Sequence, residues 1–94
     1  MLRRTSEYTL RFSPKRPTPD AASRALDIVL EGLTDLIPSD MVSGSGASGP
    51  TAFVQFRVRS DDEARRLARA LGAKDFGTAA LTTGHGVNYR HVSI

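Results

Sequence analysis

Apolar and polar residues alternate strictly along residues 51–59, and the alternation passes directly into a helical repeat. One side of the alternating run is apolar and the other is mostly polar, with Phe53 as its one aromatic residue. This two-residue period with one apolar side predicts a half-buried strand. The polar side holds Phe53, Gln55, Arg57 and Arg59.

A helix is predicted to follow this strand at once. Ser60 and Glu63 have the spacing of a capping box, in which both side chains accept backbone N–H groups at a helix start. Apolar residues then recur at helical spacing as far as Leu71, and Gly72 is a typical helix-ending residue. The charges along this helix predict two ion pairs at i,i+4 spacing, Asp61–Arg65 and Asp62–Arg66.

The first half of the chain repeats the order of strand and helix. Residues 7–13 alternate and predict a strand with Tyr8, Leu10 and Phe12 facing inward. Thr18, as N-cap, and Pro19, as the first helical residue, predict the start of a helix that Pro38 ends. Its inward stripe is Ala22, Leu26, Val29, Leu30, Leu33 and Ile37.

The remaining segments predict short strands joined by turns. Residues 41–43 begin a second strand, and residues 44–50 read as a flexible, glycine-rich hairpin loop. Residues 79–83 form a short strand, residues 84–86 a turn, and residues 87–94 a final strand that pairs with it as a hairpin. Phe53 and the apolar residues of the final strand, Val92 and Ile94, are expected to be exposed and to contact another subunit.

The order of these elements predicts a single α+β domain over residues 1–94. Strand, helix, strand, strand, helix, strand is the ferredoxin-like βαββαβ arrangement, a two-layer sandwich with an antiparallel sheet. The final strand is an addition to it. Since both helices would cover one face of the sheet, the other face would expose a basic and polar set of side chains from the first and third strands. That predicted binding face comprises Arg11, Phe53, Gln55, Arg57 and Arg59, with Thr9 beside them.

The segment AFVQF, residues 52–56, resembles the end of the longer ribonucleoprotein consensus of RNA-recognition motifs. The resemblance extends over residues 52–77, through the strand, the helix and the connector after it. It implies the ferredoxin-like topology and a base-stacking role for Phe53. The chain departs from the family at Gly49-Pro50-Thr51, which supplies no aromatic residue, and at Thr9, where the family exposes an aromatic on its first strand.

Charge is distributed unevenly along a chain whose net charge is +3. The first 19 residues carry five basic residues and one acidic residue, whereas residues 20–40 carry one basic and five acidic residues. Within the acidic segment Asp27, Glu31 and Asp35 form a stripe along the exposed side of the first helix. Such a stripe is typical of a solvated helix face and favours contact with a basic protein over a metal or acid–base site.

Composition adds three expectations about class and origin. The chain has no cysteine, which excludes disulfides and thiolate metal sites. It has no long apolar run and no recognisable signal peptide, so we expect no membrane association and a cytoplasmic location. Only Lys15 and Lys74 among 13 basic residues are lysines, and this arginine bias is typical of a GC-rich bacterium or its phage.

Motifs that carry chemistry are weak in this sequence. Gly44, Gly46 and Gly49 match G-x-G-x-x-G, but a dinucleotide site needs a helix after the last glycine, and here Pro50 and a strand follow. His85 and His91 have no neighbouring cysteine or carboxylate and read as turn and surface residues. We therefore expect no enzyme activity, no metal, no cofactor and no small-molecule substrate.

The sequence thus predicts a small, non-catalytic protein-interaction or regulatory module. Its partner is expected to be a second copy of itself, held through the sheet face or a sheet edge, or another protein. The alternative is single-stranded nucleic acid, with Arg11, Arg57 and Arg59 meeting phosphates and Phe53 stacking on a base.

Overall fold

The structure is a computed structural model that describes residues 4–16, 18, 20–84 and 88–94. Five strands are described: β1 (Ser6–Ser13), β2 (Val42–Ser48), β3 (Thr51–Val58), β4 (Thr78–Thr83) and β5 (Arg90–Val92). Two α-helices, α1 (Ala21–Leu36) and α2 (Asp61–Ala70), lie between β1 and β2 and between β3 and β4. Neither helix is long and apolar enough to cross a membrane.

The five strands form one antiparallel sheet in the order β2-β3-β1-β4-β5. The predicted α+β class with a two-layer arrangement is confirmed, and the strand order is compatible with the ferredoxin-like arrangement, β5 being added beside β4. This order makes β1 and β3 central neighbours, as predicted, and joins their outward side chains on one face.

The core lies between the sheet and the helices. Tyr8, Leu10 and Phe12 point inward from β1 as predicted, and each is at most 2% exposed. They stand opposite Phe56, Val54 and Ala52 of β3, so three cross-strand pairs fill the centre of the sheet. From the first helix, Ala22, Val29 and Leu33 complete the core, in agreement with the predicted stripe.

The glycine-rich segment is a strand for most of its length, so the prediction of a flexible loop over residues 44–50 was wrong. β2 runs to Ser48, and only Gly49 and Pro50 form the turn, with Gly49 at φ 58° as a two-residue hairpin turn requires. The physical reason lies on β3. A Cβ atom at Gly44 or Gly46 would come within 2.8 Å of the Gln55 or Phe53 side chain, so glycine leaves room for these side chains where they cross β2.

The start of α1 differs from the prediction. The helix begins at Ala21 with Asp20 as the N-cap residue, so the expectation that Thr18 caps it was wrong. Thr18 contributes its backbone instead, since its carbonyl accepts the Ala21 N–H at 3.1 Å. The expectation for Pro19 falls outside the described residues.

At the start of α2 the Ser60 half of the predicted capping box forms, whereas Glu63 reaches the N–H of Arg59, one residue before the cap, and the predicted ion pairs do not form. Ser60 Oγ accepts the Glu63 N–H at 3.2 Å, and the Glu63 carboxylate accepts the Arg59 N–H at 2.9 Å. Asp62 pairs with Arg65 at i,i+3 spacing and 2.6 Å. Asp61 is unavailable to Arg65 because it is bound by residues from two other elements, described below.

The last strand is shorter than predicted, and it packs against the core of its own chain. β5 is confined to Arg90–Val92, and it pairs with β4; Val87 lies outside the described residues. Val92 is only 6% exposed, so the prediction that it is exposed was wrong, whereas Ile94 is half-buried and packs partly against the core. Arg65 donates to the Ser93 backbone oxygen at 2.7 Å and Arg69 to that of Ile94 at 3.1 Å, which ties residues 93–94 to α2.

Candidate binding face on the open side of the sheet

The strand register arranges the side chains of the open sheet face in rows across the strands. One row contains Phe53, Arg11 and Ala80, from β3, β1 and β4. The next contains Gln55, Thr9, Thr82 and His91, and so reaches from β3 to β5. A third begins with Arg57 and Glu7. The face is therefore ordered by backbone pairing, which fixes side-chain positions more firmly than a loop would.

Four of the five residues predicted for this face lie together on it. Arg11 and Arg57 are exposed, and Phe53 and Gln55 are half-buried. Arg59 is placed differently, because β3 ends at Val58. It lines a separate depression of about 210 Å³ at the end of the sheet, to which Ile37, Pro38 and also Arg57 contribute.

A concave region of about 530 Å³ occupies the centre of the open face. Small side chains, Thr9, Ala80 and Thr82, line it between longer ones. Glu7, Arg11 and Gln55 line it from β1 and β3, and Tyr89 and His91 line it from the side of β5. The region is open and largely polar, unlike the enclosed and mostly apolar cavities that hold small cofactors. Its shape and lining suit an extended ligand.

Tyr89 and His91 also belong to this face, although they are absent from the set of residues predicted for it. Tyr89 is 57% exposed, and its ring centroid lies 5.8 Å from that of His91 in an edge-to-face arrangement. A sequence signal existed: Tyr89 and His91 are two residues apart and alternate with Arg90 and the buried Val92. That alternation predicts one shared side of a strand.

The Phe53 ring lies across the glycine positions of β2. A Cβ atom at Gly46 would lie 2.8 Å from its Cε1 and 3.1 Å from its Cζ. The absence of a side chain at Gly46 thus lets the ring rest above the β2 backbone, with its other side towards the open face. Such a ring offers a flat surface for stacking.

The charges of the face are only partly neutralised. Arg57 Nε lies 4.0 Å from the Glu7 carboxylate, a weak pair because the Arg57 side chain is 57% exposed. Gln55 donates to the Thr9 hydroxyl at 3.4 Å. Among the described residues no carboxylate lies within ion-pair distance of Arg11. Within the described part of the chain, Arg11 therefore makes no direct ion pair, and it lies near the middle of the face.

The perturbed titratable groups lie in a clamp on the other side of the sheet. The Tyr8 hydroxyl donates to Asp61 Oδ1 at 2.6 Å, and Arg90 donates to both carboxylate oxygens of Asp61 at 2.8 Å. The hydrogen bonds from Arg90, and then from Tyr8, lower the pKa of Asp61 to about 2. Burial, followed by the bond to the Asp61 carboxylate, raises the pKa of Tyr8 to about 12. The clamp joins β1, α2 and β5, which gives it a structural role.

The predicted acidic stripe is present on α1. Asp27, Glu31 and Asp35 are all exposed, in the helical layer and away from the open sheet face. Nearby, an apolar groove of about 360 Å³ lies between the helices, lined by Leu36, Ile37, Val58, Leu67 and Ala70 with Glu63 and Arg66.

Metal-binding groups are scarce in the part of the chain that the structure describes. No group of three or more histidine, cysteine or acidic side chains there could hold a metal ion. His91 is exposed beside Tyr89, and His85 lies outside the described residues.

Fold and face together define a small two-layer α+β domain with an open sheet face that mixes arginine, aromatic and hydroxyl groups. Comparison of the chain with protein-family models, curated proteins and solved structures finds no match. The function is therefore inferred from the side chains of the open face.

Proposed function

We propose that this domain is a non-catalytic interaction module that binds single-stranded nucleic acid on its open sheet face. The observation that carries the proposal is the grouping of Arg11, Arg57, Phe53 and Tyr89 on one face of the sheet. Proteins that bind single strands combine cationic groups, which meet phosphates, with aromatic rings, on which bases stack. This face offers both kinds of group.

The spacing of the groups supports an extended ligand. Phe53 is on β3 and Tyr89 adjoins β5, so three strand spacings of about 4.8 Å each, or about 14 Å, separate the two aromatic positions. Arg11 lies on β1 between them. The hydroxyls of Thr9 and Thr82, with the Gln55 amide, line the space between the rings and supply hydrogen-bond partners for base edges.

The small number of cationic side chains on the face limits its affinity for nucleic acid. Arg11 and Arg57 can each meet one phosphate, and Glu7 offsets part of the charge of Arg57. For two phosphate contacts on a single strand, log K should fall against log salt with a slope of about −1.4. The proposal is thus one of modest affinity that depends clearly on salt.

The sequence also predicted self-association through this face. The structure leaves fewer exposed apolar residues for such a contact. Its apolar contacts were to be Phe53, Val92 and Ile94; Val92 is buried in its own core, and Ile94 is half-buried. A face-to-face contact would also remove Arg11 and Arg57 from water, which costs free energy unless each is paired. Contact of the acidic stripe with a basic protein stays a prediction.

Fluorescence anisotropy with labelled single-stranded RNA and DNA over a range of salt concentrations tests the proposal. We expect binding with a slope near −1.4, and Phe53→Ala should weaken it about fivefold or more, because stacking on one aromatic is worth about 1–3 kcal/mol. Arg11→Gln should weaken binding and make the slope shallower by about 0.7. Arg24→Gln is the matched control, since Arg24 is exposed on α1.

Two results would contradict the proposal. One is the absence of binding by the folded protein at low salt. The other is binding by Phe53→Ala and Arg11→Gln that matches the wild-type protein. Light-scattering mass on the same samples shows whether a loss of binding is accompanied by a change in the number of protein copies.

The expectations of a cytoplasmic location and of an origin in a GC-rich bacterium or phage rest on composition and stay predictions.

A further inference from the structure

The two edges of the described sheet are unequal. β5 is three residues long, it contains Arg90 and His91, and the residues after it are tied to α2 by Arg65 and Arg69. Short length and charge are the usual means by which an edge strand avoids pairing with another chain. The β5 edge is therefore protected.

The β2 edge has almost none of this protection. Its seven residues, VSGSGAS, include no charged residue and no proline, and Ser43, Ser45, Ala47 and Ser48 are exposed. The only irregularity is a bulge between Val42 and Gly44. Beyond the bulge, residues 44–48 form a regular segment whose outer backbone groups meet no other strand of the described sheet. Such a segment is a template for strand addition.

We propose that β2 pairs with β2 of a second copy of this chain, antiparallel, to form one ten-stranded sheet. This inference goes beyond nucleic-acid binding and does not depend on it. A twofold axis perpendicular to the sheet makes an antiparallel pair from two identical strands and keeps both open faces on the same side. Gly46 is the middle of the regular segment and therefore faces its own copy.

The side chains of β2 fit this pairing. With Gly46 at the axis, Gly44 stands opposite Ser48 of the second copy, and Ser45 stands opposite Ala47. All of these side chains are small and uncharged, so no bulky group or like charge opposes the approach of the second strand. The β2 strand is therefore complementary to itself, which favours a second copy of this chain over a different protein as its partner.

The pairing also has a consequence for the open face. The Phe53 ring lies above Gly46, as the 2.8 Å distance from its Cε1 to a Cβ at Gly46 indicates. In two copies related by an axis at Gly46, the two β2 strands lie about 4.8 Å apart, and one Phe53 ring lies above each of them. The two open faces then form a single surface with the two phenylalanines at its centre.

Sedimentation of designed charge variants tests the assignment. In the double variant S45K/A47K each lysine faces a lysine of the second copy, so the dissociation constant should rise at least tenfold above that of the wild-type dimer. The double variant S45E/A47E should be weakened similarly. Mixing the two should restore a dimer of one copy of each, because every lysine then faces a glutamate. Ser23→Lys, exposed on α1, is the control for added charge, and circular dichroism verifies folding.

Each outcome has a distinct meaning. A wild-type protein that stays monomeric over the concentration range overturns the inference, whatever its nucleic-acid binding. A wild-type dimer that S45K/A47K leaves intact shows that another surface is used and overturns the β2 assignment. Loss of the dimer in both variants without rescue on mixing contradicts the register centred on Gly46.

Discussion

Tyr8 shows how one residue can carry both packing and electrostatics. Its ring stacks near Phe56 with centroids 6.2 Å apart, and its hydroxyl reaches the Asp61 carboxylate at the start of α2. A buried hydroxyl needs a hydrogen-bond partner, and Asp61 supplies one that Arg90 keeps ionised. The neutral phenol is therefore the form that the folded protein favours.

This arrangement predicts that the Tyr8 hydroxyl ionises only at high pH. Tyr89→Phe leaves Tyr8 as the one tyrosine, and its ultraviolet absorbance should then titrate at a pKa of about 12, against 10.0 for the unfolded chain. Because the folded pKa is the higher one, the stabilisation is complete below pH 10.0 and is lost as pH rises through about 12. Adding Asp61→Asn should lower the pKa of Tyr8 but keep it above 10.0, since burial is the larger cause. Ionisation near 10.0 in the folded Tyr89→Phe protein would show that the hydroxyl is solvated.

At the scale of the element, the hairpin of β2 and β3 depends on side chains that cross from one strand to the other. Gly44 and Gly46 are poor strand formers, yet they lie in a strand because β3 supplies the pairing and the covering side chains. Local propensity is overridden by the side chains of the strand with which β2 pairs.

Alanine at the two glycines should therefore give different results. At Gly46 a Cβ atom meets the Phe53 ring at 2.8 Å, and we expect Gly46→Ala to lower the free energy of unfolding by about 1 kcal/mol or more. At Gly44 it meets the end of the flexible Gln55 side chain, so Gly44→Ala should change the free energy of unfolding by no more than about 0.5 kcal/mol. Urea unfolding measures both.

A double variant shows whether the ring is the cause. In the Phe53→Ala background the ring is absent, so adding Gly46→Ala should cost almost nothing further. An equal cost of Gly46→Ala in both backgrounds would place the strain elsewhere.

At the scale of the whole molecule, the last strand closes the fold. Val92 enters the core, Arg90 joins the clamp at Asp61, and the residues that follow are bound by α2. These contacts join both ends of the described chain, since Arg90 and Tyr8 share one carboxylate. A strand held in so many ways should be part of the cooperative unit.

Substitutions on the two sides of β5 test this. Val92→Ala should lower the free energy of unfolding by about 1–3 kcal/mol, because it leaves a cavity at a residue only 6% exposed. His91→Ala, on the exposed side of the same strand, should change it by less than about 0.5 kcal/mol. Thermal and urea unfolding give the two values. Equal small effects would mean that β5 contributes little to the folded state.

Periodicity determined much of the fold before any tertiary contact was known. The inward residues of β1 and β3, the buried stripe of α1 and the Ser60 cap of α2 all follow from spacing, because a strand repeats every two residues and a helix every 3.6. The same alternation identified Arg11, Phe53, Gln55 and Arg57 as one face. These are local regularities, and a sequence shows them directly.

Only the tertiary structure determined the parts that depend on which side chains of other elements pack against a segment. The extent of β2 needed the side chains of β3, the partner of Asp61 needed β5, and the place of Tyr89 and His91 needed the pairing of β5 with β4. Val92 was predicted to be exposed and is buried, since whether one side of a short edge strand is covered depends on the helix that packs there. A sequence therefore indicates which side chains share a side, whereas the packed chain decides which side is covered.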